Sequence, residues 1–361
     1  MHHDLPRLMS HYAAEAVAVS PVFGEVRGRA AIAATWERLF STFTDIQYSV
    51  SDLLVDGNRI AVLGSVTVTD RVGWFGLPPT GGLLSYRLVL LFTIVEGEVV
   101  HDERIYDSTG VVERLQKARL DKELQTASEV QRALLSRTEY RTPFCESAGD
   151  SVPCRAIGGD FFEFAELATG EVAFAMGDVA GKGPAAALLA SMLQGMLAVE
   201  AGAGLGPAEM LSRLNQRLCE RRLDARFTTL VYCVLSPGGK LVYANAGHNP
   251  PALLTRSGIR QLRPGGLVLG AFADSSYTED TLQLETGDTI VLFTDGVTEA
   301  CNRAGEEFGE ARILGCIRAA GGTPQAILDN IFAAVREFRD GSELSDDITV
   351  TVTRYDQGNS H

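Results

Sequence analysis

The sequence predicts an α+β protein made of two folded domains that are joined by a helix. Its 361 residues exceed the roughly 100–200 that one domain usually contains. Residues 1–110 show a helical stretch, alternating runs and turn signals, which predict an antiparallel sheet packed against helices. Residues 138–355 alternate strand-like and helix-like segments, and residues 111–137 contain neither Gly nor Pro. We expect domains at 1–110 and 138–355, a linker helix at 111–137 and a tail at 356–361.

The first domain is predicted to contain one helix followed by a meander of strands. The helix is expected near Ala30–Phe43. Turn signals such as Asp56-Gly57 and Glu96-Gly97 separate alternating segments, as in antiparallel hairpins. The expected strands are Ile46–Val55, Arg59–Thr69, Leu84–Val95 and Val99–Tyr106.

Three segments of this domain, DLLVDGNRIAV, GLPPTGG and EGEVVHDERIYD, resemble the SnoaL-like branch of the nuclear-transport-factor-like cone fold. The resemblance implies an α+β cone that encloses a small-molecule pocket. Joined to an effector domain, such a cone is expected to be a regulatory sensor. The residues that could line such a pocket are His11, Asp70, Trp74, Tyr86, His101 and Tyr106. The favoured alternative is a hydrophobic core with a few satisfied polar groups.

Residues 111–137 predict one continuous helix, because Leu, Ala, Gln, Glu, Lys and Arg dominate the segment. Some of its residues recur at alternating steps of four and three, the spacing of a two-stranded coiled-coil seam. A homodimer follows from this interpretation, and a linker helix that lies on its own domain is the alternative. The seam residues are Leu120, Leu124, Ala127, Gln131 and Leu134.

The second domain is predicted to alternate β-branched strands with helices that begin at Pro or after small residues. Its expected strands are Val172–Met176, Thr228–Leu235, Lys240–Ala244, Thr289–Phe293 and Ile348–Arg354. Its expected helices are Pro184–Glu200, Pro207–Arg221, Glu310–Ala320 and Pro324–Arg339.

Acidic residues of the second domain share a local setting, at a strand end or turn beside small residues. They are Asp160 in IGGDFFEF, Asp178 in MGDVAGKG, Asp295 in LFTDGVTEA and the pair Asp346-Asp347 in SDDITVTV. A folded sheet brings such distant carboxylates together at one edge. Mg²⁺ and Mn²⁺ prefer oxygen ligands of this kind. The sequence therefore predicts an oxygen-ligated metal centre.

These motifs, together with LDKELQTASEVQRALL, FTTLVYCVL and YANAGHNPP, resemble in order the SpoIIE-type serine phosphatases of the metal-dependent protein phosphatase superfamily. The resemblance implies an α-β-β-α sandwich that binds two Mn²⁺ or Mg²⁺ ions. By position, Asp178 is the expected bridging and catalytic ligand, assisted by the backbone carbonyl of Val179. The other expected ligands are Asp160, Asp295 and Asp346, with Asp347 as a second candidate beside Asp346.

Three further residues have more than one interpretation. Lys182 in the GKG loop contacts the phosphate or stabilises the leaving oxygen, or it is a solvated loop lysine. Arg155 orients the phosphate or is a surface arginine. For His248 in the turn-rich NAGHNPP segment, a structural hydrogen bond is favoured.

Composition excludes some function classes. With 32 basic and 46 acidic residues, the formal net charge is −14, which repels nucleic-acid backbones and anionic membrane surfaces. The longest uncharged run, Gly183–Val199, is shorter than the ~20 apolar residues of a bilayer span and is expected to be a buried helix. The six scattered cysteines form no Cys-x-x-Cys pair and no secretory leader is recognisable, so a cytoplasmic location is expected.

Taken with the resemblance, these features predict a protein serine/threonine phosphatase that uses metal-activated water and is regulated by its first domain. The implied substrate is a phosphorylated anti-sigma-factor antagonist of the STAS fold. Two alternatives stay open. One is a catalytically weak scaffold whose metal site serves only structure, and the other is a SnoaL-like enzyme that acts on a small molecule and is fused to a phosphatase.

Overall fold

The computed structural model describes residues 4–74, 76–134, 138–221, 227–263 and 265–357. Residues 135–137 at the end of the predicted linker helix and residues 358–361 of the predicted tail lie outside the described residues. The chain divides into two compact units, residues 1–124 and 125–361.

The first unit is an α+β domain with one six-stranded sheet. The strands follow the order β2-β1-β6-β5-β4-β3, in which β1 and β6 are parallel and all other neighbours are antiparallel. Its elements are α1 Leu5–Met9, β1 Tyr12–Ser20, β2 Gly24–Arg27, α2 Arg29–Thr42, β3 Gln47–Asp56, β4 Arg59–Thr69, β5 Leu83–Val95 and β6 Glu98–Tyr106.

The predicted meander is confirmed as β3 to β6, and the predicted helix is α2. The Ala-rich strand β1 was not predicted, because YAAEAVAVS is poor in the aromatic and branched residues that favour strands. Tyr12 and Ala16 of β1 pack in one core cluster with Ile32 and Trp36 of α2. Helix α2 therefore covers one face of the sheet.

A long helix, α3, follows at Ser108–Leu134. Val111 and Leu115 of its first turns are buried in the core of the first unit. At the other end, the Gln131 side chain donates to the Gly158 carbonyl at 2.8 Å and accepts from the Gly158 N–H at 3.2 Å. Leu120 and Leu134 are exposed. The predicted helix is confirmed, and its Gln131 seam position is engaged within the second unit.

The described residues of the second unit form two sheets and two pairs of long helices. The first of these sheets has the strand order β15-β12-β11-β10-β9, and the second has the order β14-β13-β16-β17-β8-β7. Its elements are β7 Glu139–Arg141, β8 Cys145–Val152, β9 Phe161–Glu166, β10 Val172–Val179, α4 Pro184–Ala201, α5 Pro207–Glu220, β11 Thr228–Leu235, β12 Lys240–Ala246, β13 Ala252–Thr255, β14 Gly258–Gln261, β15 Glu279–Gln283, β16 Thr289–Phe293, α6 Asp295–Thr298, α7 Gly309–Ala320, α8 Pro324–Arg339 and β17 Ile348–Tyr355.

The sheets form the two inner layers of an α-β-β-α sandwich. In β10, Phe174 and Met176 point into the core between the sheets, while Ala173 and Ala175 face α4 and α5. Both faces of this strand are covered, which explains its continuous apolar run. A third core cluster joins the other sheet to α7 and α8. The predicted sandwich is confirmed.

Helix α4 is the apolar helix that the sequence placed in the core. By length and composition it is the one described helix that is long and apolar enough to cross a membrane. Its residues Leu189, Leu193 and Leu197 are buried against the first sheet. The helix begins at Pro184, where the fixed φ of proline suits a first helical position.

Candidate metal centre

Two antiparallel strand pairs, one from each sheet, supply the predicted acidic residues. In the first sheet, Phe161 at the start of β9 pairs with Gly177 of β10, so Asp160 and Asp178 occupy the next facing positions. In the second sheet, Asp295 follows the end of β16 and Asp346 precedes the start of β17. These two strands are also antiparallel neighbours. Each sheet therefore contributes two carboxylates from adjacent strand ends.

The carboxylates are close enough to disfavour one another's charged forms. Burial and the charges of Asp295 and Asp346 raise the pKa of Asp178 to about 7. Burial and the charge of Asp178 raise the pKa of Asp160 well above its usual range. The pKa of Asp295 is also raised, first by burial and then by Asp346. The structure thus brings these four predicted residues into one electrostatic cluster.

Asp160 is held in place by a threonine that the sequence analysis did not select. The Thr294 hydroxyl donates to Asp160 Oδ2 at 2.8 Å and accepts from the Thr349 N–H at 3.1 Å. Asp160 is only 5% exposed. Thr294 immediately precedes Asp295, so its position in the LFTDG motif was the available signal. One threonine therefore connects an acidic residue of the first sheet with two strands of the second.

The neighbouring residues Asp346 and Asp347 are used differently. Both oxygens of Asp347 accept backbone hydrogen bonds, from Cys154 N–H at 2.8 Å and from Gly159 N–H at 2.7 Å. Asp347 is 5% exposed. Asp346 is partly exposed, and its Oδ2 lies 2.9 Å from Lys182 Nζ. Asp347 thus fixes the loop before Asp160, whereas Asp346 presents its carboxylate to the cluster.

Two glycines allow the loops of the site to approach each other closely. A Cβ atom on Gly159 would lie 2.9 Å from the Val179 carbonyl oxygen and 3.1 Å from Ala186 Cβ. A Cβ atom on Gly296 would overlap the Asp347 carbonyl oxygen. Any larger residue at these positions would push the loops apart. The glycines therefore keep the predicted Val179 carbonyl and the carboxylates together.

The three remaining candidates, Lys182, Arg155 and His248, lie in different surroundings. Lys182 pairs with Asp346 and also donates to the Ser345 carbonyl, so it lies at the cluster. Arg155 is exposed. His248 is buried, with Nδ1 2.8 Å from the Thr229 hydroxyl, and its backbone N–H donates to the Asn245 side chain at 2.7 Å. Burial lowers the pKa of His248 to about 4, so the imidazole is neutral at pH 7.

Two more residues near the cluster were missed by the sequence analysis. The Cys154 thiol and the carboxylates of Asp346 and Asp347 have ligand atoms within 4.8 Å of one another. Glu299 has a pKa raised by burial and then by Asp295. Cys154 has no motif signal of its own, whereas Glu299 lies in the LFTDGVTEA motif, which was the available signal for it.

The donor set fits hard divalent cations. The described cluster offers carboxylate oxygens from Asp160, Asp178, Asp295 and Asp346, and their mutual repulsion is what a bound cation would relieve. It includes no imidazole, and burial raises the pKa of the neighbouring Cys154 thiol to about 11, which disfavours the thiolate that a zinc site would use. The residues present therefore suit Mg²⁺ or Mn²⁺.

Comparisons with known proteins agree with this geometry. A family model described as Stage II sporulation protein E (SpoIIE) matches residues 168–356, just over half of the chain. A model of the SnoaL-like domain matches residues 1–102. The SiaA-PP2C domain of Pseudomonas aeruginosa is similar in fold, with a TM-score of 0.58 and 22% identity over 67% of this chain and 98% of that domain.

Two curated relatives are similar at the sequence level. Phosphoserine phosphatase RsbU of Bacillus subtilis is 32% identical over 238 residues, which cover 64% of this chain and 70% of RsbU. Protein IcfG of Synechocystis sp. is 30% identical over 55% of this chain but only 36% of its own length. With its SnoaL-like first domain, the chain belongs to the SpoIIE family of protein serine/threonine phosphatases.

Proposed function

We propose that this chain hydrolyses phosphoserine or phosphothreonine in a protein by using two Mn²⁺ or Mg²⁺ ions, under the control of its first domain. The observation that carries this proposal is the cluster of Asp160, Asp178, Asp295 and Asp346, in which burial and neighbouring carboxylates raise the pKa values of Asp160, Asp178 and Asp295. The SpoIIE family is metal-dependent, which supports the same cofactor class.

The proposed role of each residue follows from its position in the cluster. Asp178, at the centre of the cluster, is the proposed bridging ligand, and the carbonyl of Val179 beside Gly159 assists it. Asp160, Asp295 and Asp346 are the proposed outer ligands. Each oxygen of the Asp347 carboxylate accepts a hydrogen bond from a backbone N–H, which favours a positioning role over that of a ligand.

When bound, the cations supply positive charge to the phosphate oxygens and lower the pKa of the attacking water. Lys182 is the proposed phosphate-orienting residue, because it places an ammonium group beside Asp346 at the edge of the cluster. Thr294 keeps the Asp160 carboxylate oriented by donating a hydrogen bond to it. No covalent intermediate on a side chain is needed for this direct hydrolysis.

The proposed substrate is a phosphorylated anti-sigma-factor antagonist of the STAS fold, which the similarity to RsbU supports. We further propose a cytoplasmic homodimer joined through α3, since Leu120, Val130 and Leu134 of this helix are exposed. The first domain is the proposed receptor for a small molecule, because it contains a cavity of about 620 Å³.

The test measures phosphate release from a phosphoserine-containing antagonist protein with and without Mn²⁺, using wild type, Asp178→Asn and Asp274→Asn. Asp274 is an exposed aspartate outside the cluster and serves as the matched control. We expect metal-dependent release by wild type and the control, and at least a hundredfold lower rate for Asp178→Asn. Equal rates for the two variants, or release that does not depend on metal, would reject the proposal.

A second measurement addresses the substrate class. We expect kcat/KM to be at least tenfold higher for the folded phosphorylated STAS protein than for a phosphopeptide of the same local sequence. Equal values would argue against recognition of the folded antagonist. A scaffold without activity would show Mn²⁺ binding by calorimetry but no phosphate release from either substrate.

A further inference from the structure

The first unit encloses a cavity of about 620 Å³ between α2, the inner face of the sheet and the segment around Trp74. Small-molecule sites typically have volumes of roughly 300–1,000 Å³. The strand register explains the inner face, because Tyr86 of β5 and Tyr106 of β6 alternate with residues of the outer face. Of the residues expected from sequence to line this pocket, Trp74, Tyr86 and Tyr106 do so.

The other expected residues, His11, Asp70 and His101, are not among the described residues that line the cavity. Asp70 is buried because its carboxylate organises a loop, accepting from the N–H groups of Gly73 at 3.1 Å and Thr80 at 2.8 Å. The expectation was therefore wrong for these three residues. Loop hydrogen bonding accounts for the burial of Asp70.

Flat aromatic rings form much of the cavity wall. The rings of Trp74 and Tyr86 lie 5.8 Å apart, and those of Tyr86 and Tyr106 lie 5.1 Å apart. On another side, Trp36 and Tyr48 are separated by 6.3 Å. All five side chains line the cavity. Such walls match a planar ring better than a flexible aliphatic chain, because aromatic pairs add a geometry-dependent attraction to area burial.

A buried arginine provides the main charge at this wall. Arg104 is 8% exposed, its guanidinium carbon lies 4.1 Å above the Trp36 ring, and its Nε and Nη2 groups donate to Asp102 Oδ2. Its Nη1 makes no hydrogen bond to any residue in the described part of the chain. The guanidinium is thus held rigidly from one side while retaining donors for a ligand.

Three tyrosine hydroxyls of the wall are further donors. The hydroxyls of Tyr48, Tyr86 and Tyr106 make no hydrogen bond within the described ranges. Burial raises the pKa of Tyr48 and of Tyr106 to about 12, so both hydroxyls remain protonated at neutral pH. Arg38 also lines the cavity, and no carboxylate is found among its described lining residues. Although Asp102 offsets the charge of Arg104, the positive charge of Arg38 and the available N–H and O–H donors favour an anionic acceptor.

We propose that the cavity binds a planar aromatic carboxylate, with its acid group on Arg104 and its ring between the aromatic walls. A carboxylate matches the fork of N–H donors that a guanidinium presents. The inference deepens the receptor part of the proposed function and does not depend on the phosphatase reaction. Because Trp36 and Trp74 are the only two tryptophans of the chain, tryptophan fluorescence reports on this cavity alone.

The test titrates the full-length chain with three probes of similar size, followed by calorimetry and tryptophan fluorescence. The probes are 2-naphthoate, its uncharged isostere 2-naphthamide, and the saturated anion decalin-2-carboxylate. We expect 2-naphthoate to bind at least tenfold more tightly than either of the others and to change the tryptophan emission. Equal affinity of the amide would overturn the role of charge. Equal affinity of the saturated acid would overturn the role of the aromatic walls, and absence of naphthoate binding would overturn the site.

Substitutions test whether Arg104 binds the carboxylate group of the ligand. Arg104→Met alone would leave Asp102 buried without its cation and risks misfolding, so the Asp102→Asn/Arg104→Met pair removes both charges together. Arg87→Met is the matched control, because Arg87 is exposed on the same sheet and does not line this cavity. We expect the double variant to lose the preference for acid over amide, and the control and Tyr106→Phe to fold normally.

Tyr106→Phe provides an independent check, since it removes one donor and keeps the ring. We expect it to weaken naphthoate about threefold to tenfold. An unchanged acid preference in the double variant would overturn the assignment to Arg104, and an unchanged Tyr106→Phe affinity would overturn the assignment of the tyrosine donors. Phosphate release by the same preparations is measured separately, so a failure of the phosphatase proposal is distinguishable from a failure of this one.

Discussion

Replacing Asp178 by Asn is expected to stabilise the metal-free protein at pH 8 while it abolishes hydrolysis. In the folded chain, burial and the charges of Asp295 and Asp346 raise the pKa of Asp178 from 3.8 to about 7. The folded state therefore binds more protons than the unfolded state between about pH 4 and pH 7. Consequently, the stability of the metal-free wild type falls as the pH rises through this window.

The size of the effect follows from the same pKa. A tenfold change in a proton-binding constant corresponds to about 1.4 kcal/mol, so the ionised Asp178 side chain costs up to ~4 kcal/mol above pH 7. Neighbouring carboxylates relieve part of this cost by taking up protons. We expect Asp178→Asn to raise the free energy of unfolding in EDTA by about 2–4 kcal/mol at pH 8.

The assay is urea denaturation of wild type, Asp178→Asn and the exposed control Asp274→Asn, in EDTA at pH 8 and at pH 5. At pH 5 most wild-type molecules carry a proton on Asp178, so the advantage of the variant should shrink to less than half. Adding Mn²⁺ at pH 8 should stabilise wild type and the control but leave Asp178→Asn little changed. The reasoning fails if Asp178→Asn is no more stable than Asp274→Asn at pH 8, or if its advantage is the same at both pH values.

Four further predictions concern the cluster and other residues of the second unit. Asp347→Ala should lower the free energy of unfolding in EDTA by about 3 kcal/mol, because it removes two hydrogen bonds to a buried charge. Asp346→Ala should leave that stability within about 1 kcal/mol, since its ion pair is partly exposed, yet weaken Mn²⁺ binding by calorimetry at least tenfold. The folded-state pKa of His248 lies below its unfolded value, so stability is lost as the pH falls from about 6.5 to about 4. His248→Gln should reduce the stability that is lost over this pH range by up to ~3 kcal/mol. If urea denaturation shows the same loss of stability between these pH values in the variant and in wild type, the assignment is contradicted. Gln131→Ala should cost about 1–2 kcal/mol and weaken Mn²⁺ binding, whereas the exposed Gln125→Ala on the same helix should change neither.

Sequence patterns predicted the elements whose sequence signals lie within the element or next to it. Thr228–Leu235, Thr289–Phe293 and Pro324–Arg339 match their predicted bounds without change. The two strands are rich in β-branched, aromatic and other apolar residues, and both of their faces are covered. The helix starts with a Thr323 side chain that accepts from the Ala326 N–H and a proline at its first position. Each signal lies within a few residues of the element that it defines.

Strand β8 was missed for the opposite reason. Its sequence, CESAGDSV, contains Ser, Gly, Glu and Asp and has no strand signal of its own. The strand is stabilised by pairing with β17, where Ser147 meets Thr353 at 2.9 Å between hydroxyls and Ser151 meets Thr349 at 2.8 Å. These partners lie about two hundred residues apart in the chain. Hydroxyl pairs of this kind make polar residues compatible with a buried sheet, and no local pattern reveals them.

The same distinction applies to the candidate site. Asp160, Asp178 and Asp295 could be selected from sequence because each stands at a strand end beside small residues. The choice between Asp346 and Asp347 depends on which carboxylate the distant Cys154 and Gly159 N–H groups occupy, and that contact exists only in the folded chain. Sequence therefore identified the acidic segment, and folding assigned the two side chains to different uses.

Gln131 connects α3 with the loop that leads to Asp160. The Gln131 side chain both donates to and accepts from the backbone of Gly158, two residues before Asp160. The next N–H along, that of Gly159, donates to Asp347. The loop that leads to Asp160 is therefore held between α3 and the strand that follows Asp346. A rotation of α3 that withdrew Gln131 would leave the loop with only its hydrogen bonds to Asp347, while the Asp160 carboxylate would still accept the hydrogen bond from Thr294.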